Sequence, residues 1–366
     1  MRVYNYILIT LAVLLLGFLI VMTVQKPITK VWLKRLINTI VITTVIIMVL
    51  AVVLFPDFSN VKTTGIYSYT SCTLELEDNS RIEDYKGDGS FRKLSVVVYY
   101  PTNDTLQKGD CPLIVFSHGG ISYSTSNISL YRELASQGYV VVSIDHTYHA
   151  LFTKISDKTV FIDSGYVKEL NTEDSHKDIA NSYAHFQKWM GLRTGDIIFV
   201  IDSFTKTTED NCDSFYSLID TENIGVIGHS LGGTAALGVA RQRKDIKAVV
   251  ALESPYMCDI TGINGEDFTW NTEPYSCAIM NIYSDSGYPL IEADNKYVQN
   301  KNYLYNSENV EYYYIQDSNH YTLTDLVRKS PILCTLLGGG YGKSGYDTLE
   351  FINQKCVAFF DKYLGE

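Results

Sequence analysis

The segment Asn223-Ile-Gly-Val-Ile-Gly-His-Ser-Leu-Gly-Gly-Thr-Ala-Ala-Leu-Gly-Val-Ala240 decides the fold of this chain. An apolar run suited to a buried parallel strand leads into Gly228-His-Ser-Leu-Gly232, and small helix-forming residues follow. A strand, a sharp turn and a helix in this order are the context that a G-x-S-x-G nucleophile elbow requires. Side chains at Gly228 or Gly232 would collide with the neighbouring strand and helix. We therefore predict an elbow with Ser230 as the nucleophile.

Segments on both sides of this turn alternate between strand-like and helix-like patterns. Two runs, 67–76 and 94–100, are predicted to form a leading antiparallel pair with a polar connection between them. Later strands are predicted at 111–120, 139–145, 245–253, 278–285 and 311–316, and helices at 130–138, 178–190, 194–204 and 348–364. This alternation implies a mostly parallel sheet, whose ligands lie at the carboxyl ends of the strands. We predict an α/β-hydrolase fold and assign no chemistry to residues 148–208.

The N-terminal part of the chain has the composition of a membrane anchor. Residues 6–24 and 36–55 are apolar and uncharged, and each is long enough to cross a hydrocarbon core of about 30 Å as a helix. The loop between them carries four basic residues and no acid, so the positive-inside rule places it in the cytoplasm. A cleaved signal peptide fits less well, because the first run is long and no small-residue cleavage site precedes Lys26. A single membrane span is the remaining alternative.

The chain thus divides into an anchor with two transmembrane helices, residues 1–57, and an α/β-hydrolase catalytic domain, residues 58–366. A domain of this length suits one large α/β unit. We expect a multi-pass protein of the cell membrane with its catalytic domain on the extracytoplasmic face. The net charge of −11 gives no support for nucleic acid binding or for charge-driven attraction to anionic lipids. Contact with the bilayer must therefore come from the N-terminal helices.

A serine hydroxyl becomes a nucleophile at neutral pH only when an imidazole takes its proton and an acid orients that imidazole. In an α/β-hydrolase these groups occur in the order serine, acid, histidine. His320 is the only histidine that follows Ser230 in the sequence, so we predict it as the base. Glu253 and Asp285 each come directly after a predicted strand, and spacing alone does not choose between them as the acid.

The oxyanion of the reaction intermediate requires at least two hydrogen-bond donors. We predict the backbone N–H of Leu231 as one of them, because it follows the nucleophile. The second is expected from the glycine loop Ser117-His-Gly-Gly120, with Gly120 preferred and Gly119 as the alternative. His118 is expected to support this loop through hydrogen bonds.

Metal and redox signals are weak in this sequence. The pair His146 and His149 has an H-x-x-H spacing but lacks a third ligand at a suitable offset, so we interpret it as a hydrogen-bonding cluster at a strand end. The seven cysteines include no C-x-x-C pair. We predict no metal and no cofactor, and the sequence fixes neither the cysteine pairing nor the oligomeric state.

Several short motifs together resemble one family. They are Thr64-Gly-Ile-Tyr67, Val98-Tyr-Tyr-Pro101, Val115-Phe-Ser-His-Gly119, Leu134-Ala-Ser-Gln-Gly-Tyr-Val-Val141, Gly225-Val-Ile-Gly-His-Ser-Leu-Gly-Gly233, Ala251-Leu-Glu253, Ser318-Asn-His320 and Ala358-Phe-Phe-Asp361. Over residues 62–364 the chain resembles the platelet-activating factor acetylhydrolase, isoform II family of α/β-hydrolases, the plasma-type enzymes also called lipoprotein-associated phospholipase A2.

This resemblance implies roles and a substrate class. In the family the acid follows an Ala-Leu dipeptide, which corresponds to Glu253 here, although the family more usually has aspartate; Asp285 stays the second choice. The resemblance also implies hydrolysis of short or oxidised acyl esters, with the sn-2 ester of phospholipids as a candidate, as in a 1-alkyl-2-acetylglycerophosphocholine esterase, and without calcium or a cofactor. The N-terminal hairpin is a departure, because the secreted plasma enzyme lacks it.

Our hypothesis from the sequence is therefore a membrane-anchored serine esterase or lipase that forms an acyl-enzyme on Ser230. One alternative is a broad carboxylesterase or polyester-type hydrolase on the same fold. A second alternative is a catalytically inactive hydrolase-fold ectodomain that serves binding.

Overall fold

The computed structural model describes residues 3–24, 31–56, 60–103, 105–206, 215–307, 309–338 and 345–365. The chain begins with two helices, α1 (Val3–Val24) and α2 (Val31–Leu54). Among the described residues, only α2, with 24 residues, is long and apolar enough to span a membrane by length and composition. The apolar stretch of α1, Ile7–Ile20, is shorter than a membrane span requires. The prediction of two spans is thus supported for one helix, and residues 25–30 of the predicted cytoplasmic loop lie outside the described residues.

The strands and helices predicted for the remaining chain are present, and further short strands and helices occur between them. The strands are β1 (Ser68–Ile82), β2 (Phe91–Thr102), β3 (Cys111–Ser117), β4 (Val140–Asp145), β5 (Phe152–Ile155), β6 (Lys158–Phe161), β7 (Ile219–His229), β8 (Ile246–Leu252), β9 (Ile260–Asn264), β10 (Asp267–Trp270), β11 (Ala278–Ser284) and β12 (Val310–Ile315). The helices after α2 are α3 (Ile128–Ser136), α4 (Ser164–Thr172), α5 (Ile179–Thr205), α6 (Leu231–Gln242), α7 (Leu290–Ala293), α8 (Val298–Asn306), α9 (Leu326–Lys329), α10 (Pro331–Gly338) and α11 (Gly345–Leu364).

Within the described residues, eight strands form one sheet in the order β1-β2-β4-β3-β7-β8-β11-β12. The first two neighbouring pairs, β1 with β2 and β2 with β4, are antiparallel, and every later pair is parallel. The predicted mostly parallel sheet with a leading antiparallel pair is therefore confirmed. Because parallel strands end at the same edge, the segments that follow β3, β7, β8, β11 and β12 lie together there.

The central strands are buried on both faces, which explains why they appear in the sequence as continuous apolar runs. In β3, Leu113 and Val115 pack into the cluster that includes α5 and α6. Ile114 and Phe116, which point to the opposite face because side chains alternate along a strand, pack against α3 and α11. Helices thus cover both faces of the sheet and hold the strand ends in register.

Two predicted boundaries were wrong. Residues 77–82, assigned to a polar connection, continue β1 to Ile82, because β1 is an edge strand in which the polar residues Glu77, Asn79 and Ser80 face solvent. The helices predicted at 178–190 and 194–204 are one helix, α5, which runs without a break through Gly191 and Gly195. Packing overrides the low helix propensity of glycine here, and the missing side chain at Gly195 leaves room for Arg81, whose Nη1 would lie 2.5 Å from a Cβ at that position.

Candidate active site

Ser230 lies at the junction of β7 and α6, at the carboxyl edge of the sheet. Its backbone has φ 55° and ψ −125°, a conformation that non-glycine residues rarely adopt and that costs free energy. The surrounding structure holds this conformation: the N–H of Ser230 donates to the carbonyl oxygen of Leu252 across 2.7 Å. The side chain of Ser230 is partly exposed and therefore accessible at the strand ends.

The glycines on either side of this turn occupy positions without room for a side chain. A Cβ at Gly228 would lie 2.2 Å from the carbonyl carbon of Gly232. A Cβ at Gly232 would lie 2.1 Å from the carbonyl oxygen of Ser117. These contacts bring the strand, the helix and the glycine loop after β3 so close together that only glycine fits at both positions.

The structure places His320 beside this turn, in a short 3₁₀ turn after β12. Its ring centroid is 4.5 Å from that of His229, whose Nε2 donates to the carbonyl oxygen of His320 across 3.0 Å. The N–H of His320 donates to Ser286 Oγ at 3.1 Å. Burial lowers the pKa of His320 to about 4, so its imidazole is neutral at physiological pH.

Glu253 follows β8 directly and has a left-handed backbone conformation with φ 53°. Its carboxylate is buried and accepts hydrogen bonds from the N–H of Ser284 at 2.6 Å and from Ser284 Oγ at 2.7 Å. Burial raises the pKa of Glu253 to about 7 although these hydrogen bonds favour the ionised form. Ser286, two residues after the Ser284 that binds this carboxylate, accepts a hydrogen bond from the N–H of His320.

Asp285 has a different environment from Glu253. It follows β11, its side chain is exposed, and its carboxylate accepts a hydrogen bond from the hydroxyl of Tyr314 at 2.5 Å. The side chain of Asp285 therefore faces the surface, whereas that of Glu253 faces the interior. In the described part of the chain, the His320 imidazole forms no hydrogen bond with Ser230, Glu253 or Asp285.

Backbone N–H groups without a protein acceptor occur next to Ser230 and in the glycine loop. A Cβ on Gly119 would lie 3.5 Å from Ser230 Cβ, so the glycine loop passes close to the serine. Leu231 is the first residue of α6, and the first N–H groups of a helix have no partner inside it. Within the described ranges, the N–H groups of Gly119, Gly120 and Leu231 donate to no protein acceptor. These groups are thus available to a negatively charged oxygen.

His146 and His149 belong to a buried hydrogen-bonding cluster at the end of β4, as the sequence indicated. His146 Nδ1 lies 2.9 Å from Asp196 Oδ2, and its Nε2 lies 2.8 Å from Ser117 Oγ. His149 Nε2 lies 2.8 Å from the hydroxyl of Tyr85. Among the described residues, no group of three or more His, Cys, Asp or Glu side chains is placed to hold a metal ion.

The family model for platelet-activating factor acetylhydrolase, isoform II, matches residues 93–365. The chain belongs to this family. The match confirms the resemblance seen in the sequence and includes the glycine loop, the serine turn, Glu253 and the His320 turn.

Individual members of the acetylhydrolase family are distant in sequence. A platelet-activating factor acetylhydrolase of Cavia porcellus is 23% identical over 296 residues, which cover 74% of this chain and 62% of that protein. Another, of Canis lupus familiaris, is 28% identical over 168 residues, 42% of this chain and 37% of the relative. A probable 1-alkyl-2-acetylglycerophosphocholine esterase of Arthroderma benhamiae is 23% identical over 168 residues. The chain therefore spans less than two thirds of the length of the relatives that it matches.

A solved structure supports the fold of this acetylhydrolase family member. The ferulic acid esterase of Streptomyces cinnamoneus superposes with a TM-score of 0.58 over 83% of this chain and 92% of that enzyme, at 20% sequence identity. At this identity the similarity shows the fold alone. It confirms the predicted α/β-hydrolase-like fold with a mostly parallel central sheet.

Sequence reasoning missed two residues next to the glycine loop of this family member. Arg193 donates to the carbonyl oxygens of His118 and Gly119, and the hydroxyl of Tyr166 donates to that of Gly120. Both lie in residues 148–208, to which we assigned no chemistry. No local pattern marks them, because the contacts join residues that are 46 to 75 positions apart in the chain.

Proposed function

We propose that this chain is a serine ester hydrolase with Ser230 as nucleophile, His320 as general base and Glu253 as the acid that orients the imidazole. One observation carries the proposal: a strained serine is followed by an N–H donor without a protein acceptor, and the residue before it is hydrogen-bonded to a turn that carries a neutral histidine. Membership of the acetylhydrolase family and the names of the relatives support ester hydrolysis as the reaction.

In the proposed reaction, Ser230 Oγ attacks the ester carbonyl carbon while its proton passes to His320. The carbonyl oxygen becomes an oxyanion, to which the N–H groups of Leu231 and Gly120 donate, with Gly119 as a further donor. Collapse of this intermediate breaks the ester bond, and the leaving alcohol takes the proton from His320. Water then attacks the acyl-serine by the same route and releases the carboxylic acid. These steps require neither a metal nor a cofactor.

The proposal requires one side-chain adjustment. Hydrogen bonds between catalytic groups are often long without substrate and shorten in the substrate complex. The ring of His320 already lies beside His229, the residue that precedes the nucleophile. We propose that a rotation of the His320 side chain, with its turn held in place by His229 and Ser286, brings the imidazole to Ser230. Glu253 would then exchange one hydrogen bond from Ser284 for one from His320.

As the substrate we propose a short or oxidised acyl ester, including the sn-2 ester of a phospholipid. The relatives are named for platelet-activating factor and for 1-alkyl-2-acetylglycerophosphocholine, and we extend that substrate class to this chain. If the lipid part is right, acetyl esters of glycerophosphocholine are hydrolysed faster than p-nitrophenyl acetate. If the chain hydrolyses p-nitrophenyl acetate but is completely inactive on short-chain phosphatidylcholines, it is a broad carboxylesterase and not a phospholipid hydrolase.

We also propose that α1 and α2 form a two-span anchor that holds the catalytic domain at the extracytoplasmic face, next to a bilayer that supplies substrate. The length and composition of α2, the apolar run of α1 and the basic loop support this arrangement. Two experiments test this arrangement. In alkaline carbonate extraction of membranes, the chain should stay in the membrane pellet. In protease treatment of intact cells, the catalytic domain should be cleaved by protease added outside. Solubilisation by carbonate would exclude the anchor, and protection of the domain would reverse its orientation.

The decisive experiment compares the full chain in detergent with Ser230→Ala and His320→Ala on a series of acyl esters. Each variant should lose about 10³-fold or more in kcat, because members of a triad act as a unit. His176→Ala, at an exposed histidine, is the matched control and should keep full activity. A fluorophosphonate probe should label the wild type and spare Ser230→Ala. If the wild type is neither labelled nor active on any ester, the chain is a binding domain on a hydrolase fold.

A further inference from the structure

A buried arginine lies directly behind the glycine loop. Arg193, in the middle of α5, is completely buried. Its Nη1 donates to the carbonyl oxygen of His118 at 2.6 Å and its Nη2 to that of Gly119 at 3.2 Å. Within the residues that the structure describes, no carboxylate lies within ion-pair distance of this guanidinium. Backbone carbonyls of the loop, and not an acid, are therefore its main partners.

Tyr166 extends this support to the next residue of the loop. Its hydroxyl donates to the carbonyl oxygen of Gly120 at 3.2 Å and accepts from Arg193 Nη2 at 3.3 Å. The ring of Tyr166 stacks on His149 with a centroid distance of 3.6 Å, and Arg193 Nε donates to Nδ1 of the same histidine at 3.3 Å. The carbonyls of three successive loop residues are thus held by one buried cluster.

The direction of the peptide groups follows from these contacts. In a trans peptide the C=O and the N–H point in opposite directions. The carbonyl of His118 shares a peptide group with the N–H of Gly119, and the carbonyl of Gly119 shares one with the N–H of Gly120. Because both carbonyls face Arg193, these two N–H groups point away from it. These are the N–H groups that have no protein acceptor among the described residues, and Gly119 lies close to Ser230. Arg193 thus makes two of the contacts that fix the direction of the predicted oxyanion donors.

We propose that Arg193 is a positioning residue for transition-state stabilisation: it fixes the glycine loop with its N–H groups toward Ser230, and its buried charge adds to their field. This inference rests on the proposed ester hydrolysis and goes beyond it. Negative charge develops on the substrate oxygen only during reaction, and prearranged dipoles in a water-poor site stabilise it without reorganisation. A cation at the oxygen end of those peptide dipoles acts in the same direction as the dipoles.

The surroundings of Arg193 leave its charge unneutralised. Asp196, a buried acid that contacts His146, is already paired with Arg92 and Arg81. Burial, and then the charge of Arg193, lower the pKa of His118 and of His149, so both neighbouring imidazoles are neutral. His118 Nδ1 donates to the carbonyl oxygen of Gly119 at 2.7 Å, which reinforces the orientation of the same peptide group.

The test uses the full chain in detergent and compares the wild type with Arg193→Lys, Arg193→Met and Tyr166→Phe. Arg241→Lys is the matched control: Arg241 pairs with the buried Asp259 and stacks on Tyr275, away from the loop. Five quantities are measured: the melting temperature, kcat and KM for a short ester, the Ki of a trifluoromethyl ketone of the same chain length, and the Kd of the unreactive ether analogue. The ketone forms a tetrahedral oxyanion on the serine, whereas the ether does not.

We expect Arg193→Lys and Tyr166→Phe to lower kcat by about 10-fold to 100-fold, less than the loss of a direct oxyanion donor. KM and the Kd of the ether should change by less than about twofold, and the Ki of the ketone should rise in proportion to the loss in kcat. Arg241→Lys should keep the wild-type values. Arg193→Met should lose at least as much kcat as Arg193→Lys. If Arg193→Met does not fold, Arg193→Lys decides the question for Arg193, and Tyr166→Phe tests the support of Gly120 separately.

Three outcomes overturn the inference alone: folded variants with unchanged kcat, a loss of kcat with an unchanged Ki of the ketone, or equal losses for the ketone and the ether. In each of them the wild type remains an active hydrolase. A wild type that neither hydrolyses esters nor reacts with the fluorophosphonate overturns the proposed function itself, and the inference with it. The two failures are therefore distinguishable in one set of measurements.

Discussion

His229 Nε2 donates a hydrogen bond to the carbonyl oxygen of His320 across 3.0 Å, and the two rings lie 4.5 Å apart. His229 is the residue immediately before Ser230. Burial lowers its pKa well below the ordinary value for histidine, so it acts here as a neutral donor and carries no charge. The second position of the G-x-S-x-G motif thereby connects the serine turn directly to the turn that carries the proposed base.

Replacing this donor should weaken catalysis more than stability. In His229→Leu the carbonyl oxygen of His320 loses its partner, and the His320 turn is free to shift; a misplacement of about 1 Å costs about 10²-fold. We expect kcat to fall by about 10-fold to 100-fold. His229→Gln, which keeps an N–H donor of similar reach, should retain most of the activity. Equal activity of His229→Leu and the wild type would show that the contact has no part in positioning.

The two candidate acids should respond very differently to neutralisation. Glu253→Gln removes the buried charge that would stabilise the imidazolium of His320, so we expect kcat to fall by about 10³-fold or more. Asp285→Asn alters an exposed carboxylate bonded to Tyr314, and kcat should stay within about threefold of the wild type. The measurement is steady-state kinetics on one ester for both variants. The opposite ranking would assign the acid to Asp285.

The pH dependence of kcat/KM should report the same carboxylate. Burial raises the pKa of Glu253 to about 7 and lowers that of His320 to about 4. Between these values the imidazole is already neutral, but Glu253 is largely protonated and cannot balance a charge on it. We expect kcat/KM to rise with pH through about 7. This rise should be absent in Glu253→Gln and present in Asp285→Asn. A rise in kcat/KM near pH 4, with none near pH 7, would mean that the activity follows the titration of His320.

The raised pKa of Glu253 also predicts that ionisation of this carboxyl group lowers the stability of the folded chain. The folded chain binds the proton of Glu253 more tightly than the unfolded chain does, since the carboxyl pKa rises from 4.5 to about 7. The stability that this protonation contributes is present below about pH 4.5 and is lost as the pH rises through 7. Glu253→Gln should therefore be more stable than the wild type at pH 8, by about 1 to 3 kcal/mol, with little gain at pH 4.5. Melting temperatures at the two pH values test this, and a gain independent of pH would contradict it.

The parts of the site that the sequence predicted are those encoded locally. The turn at Ser230 is specified by two glycines, an apolar strand before them and small residues after them. The His320 turn was found because His320 is the only histidine after the serine. Both patterns are read within a few residues of one strand end, where a parallel sheet collects its functional groups.

The parts that the sequence did not predict depend on contacts between distant segments. Arg193 reaches the glycine loop from a helix 74 to 75 residues away, and an arginine in a helix carries no mark of this partner. The continuity of α5 through its glycines likewise follows from tertiary packing and not from propensity. The supporting groups thus depend on tertiary packing, whereas the residues proposed for catalysis stand in motifs that the sequence itself shows.

Glycine substitutions should separate the turn from the rest of the fold. The methyl group of Gly232→Ala would meet the carbonyl oxygens of Ser117 and His118 at 2.1 and 2.5 Å, so both the serine turn and the glycine loop must move. We expect a loss of stability of about 2 to 4 kcal/mol and at least a 10-fold loss in kcat. Gly191→Ala adds a methyl group in α5 with no atom within 4 Å and should stabilise the chain by about 0.5 to 1 kcal/mol, because alanine loses less backbone entropy than glycine. Melting temperatures and kcat of both variants provide the test, and a Gly232→Ala variant as stable and active as Gly191→Ala would mean that the turn is looser than these contacts imply.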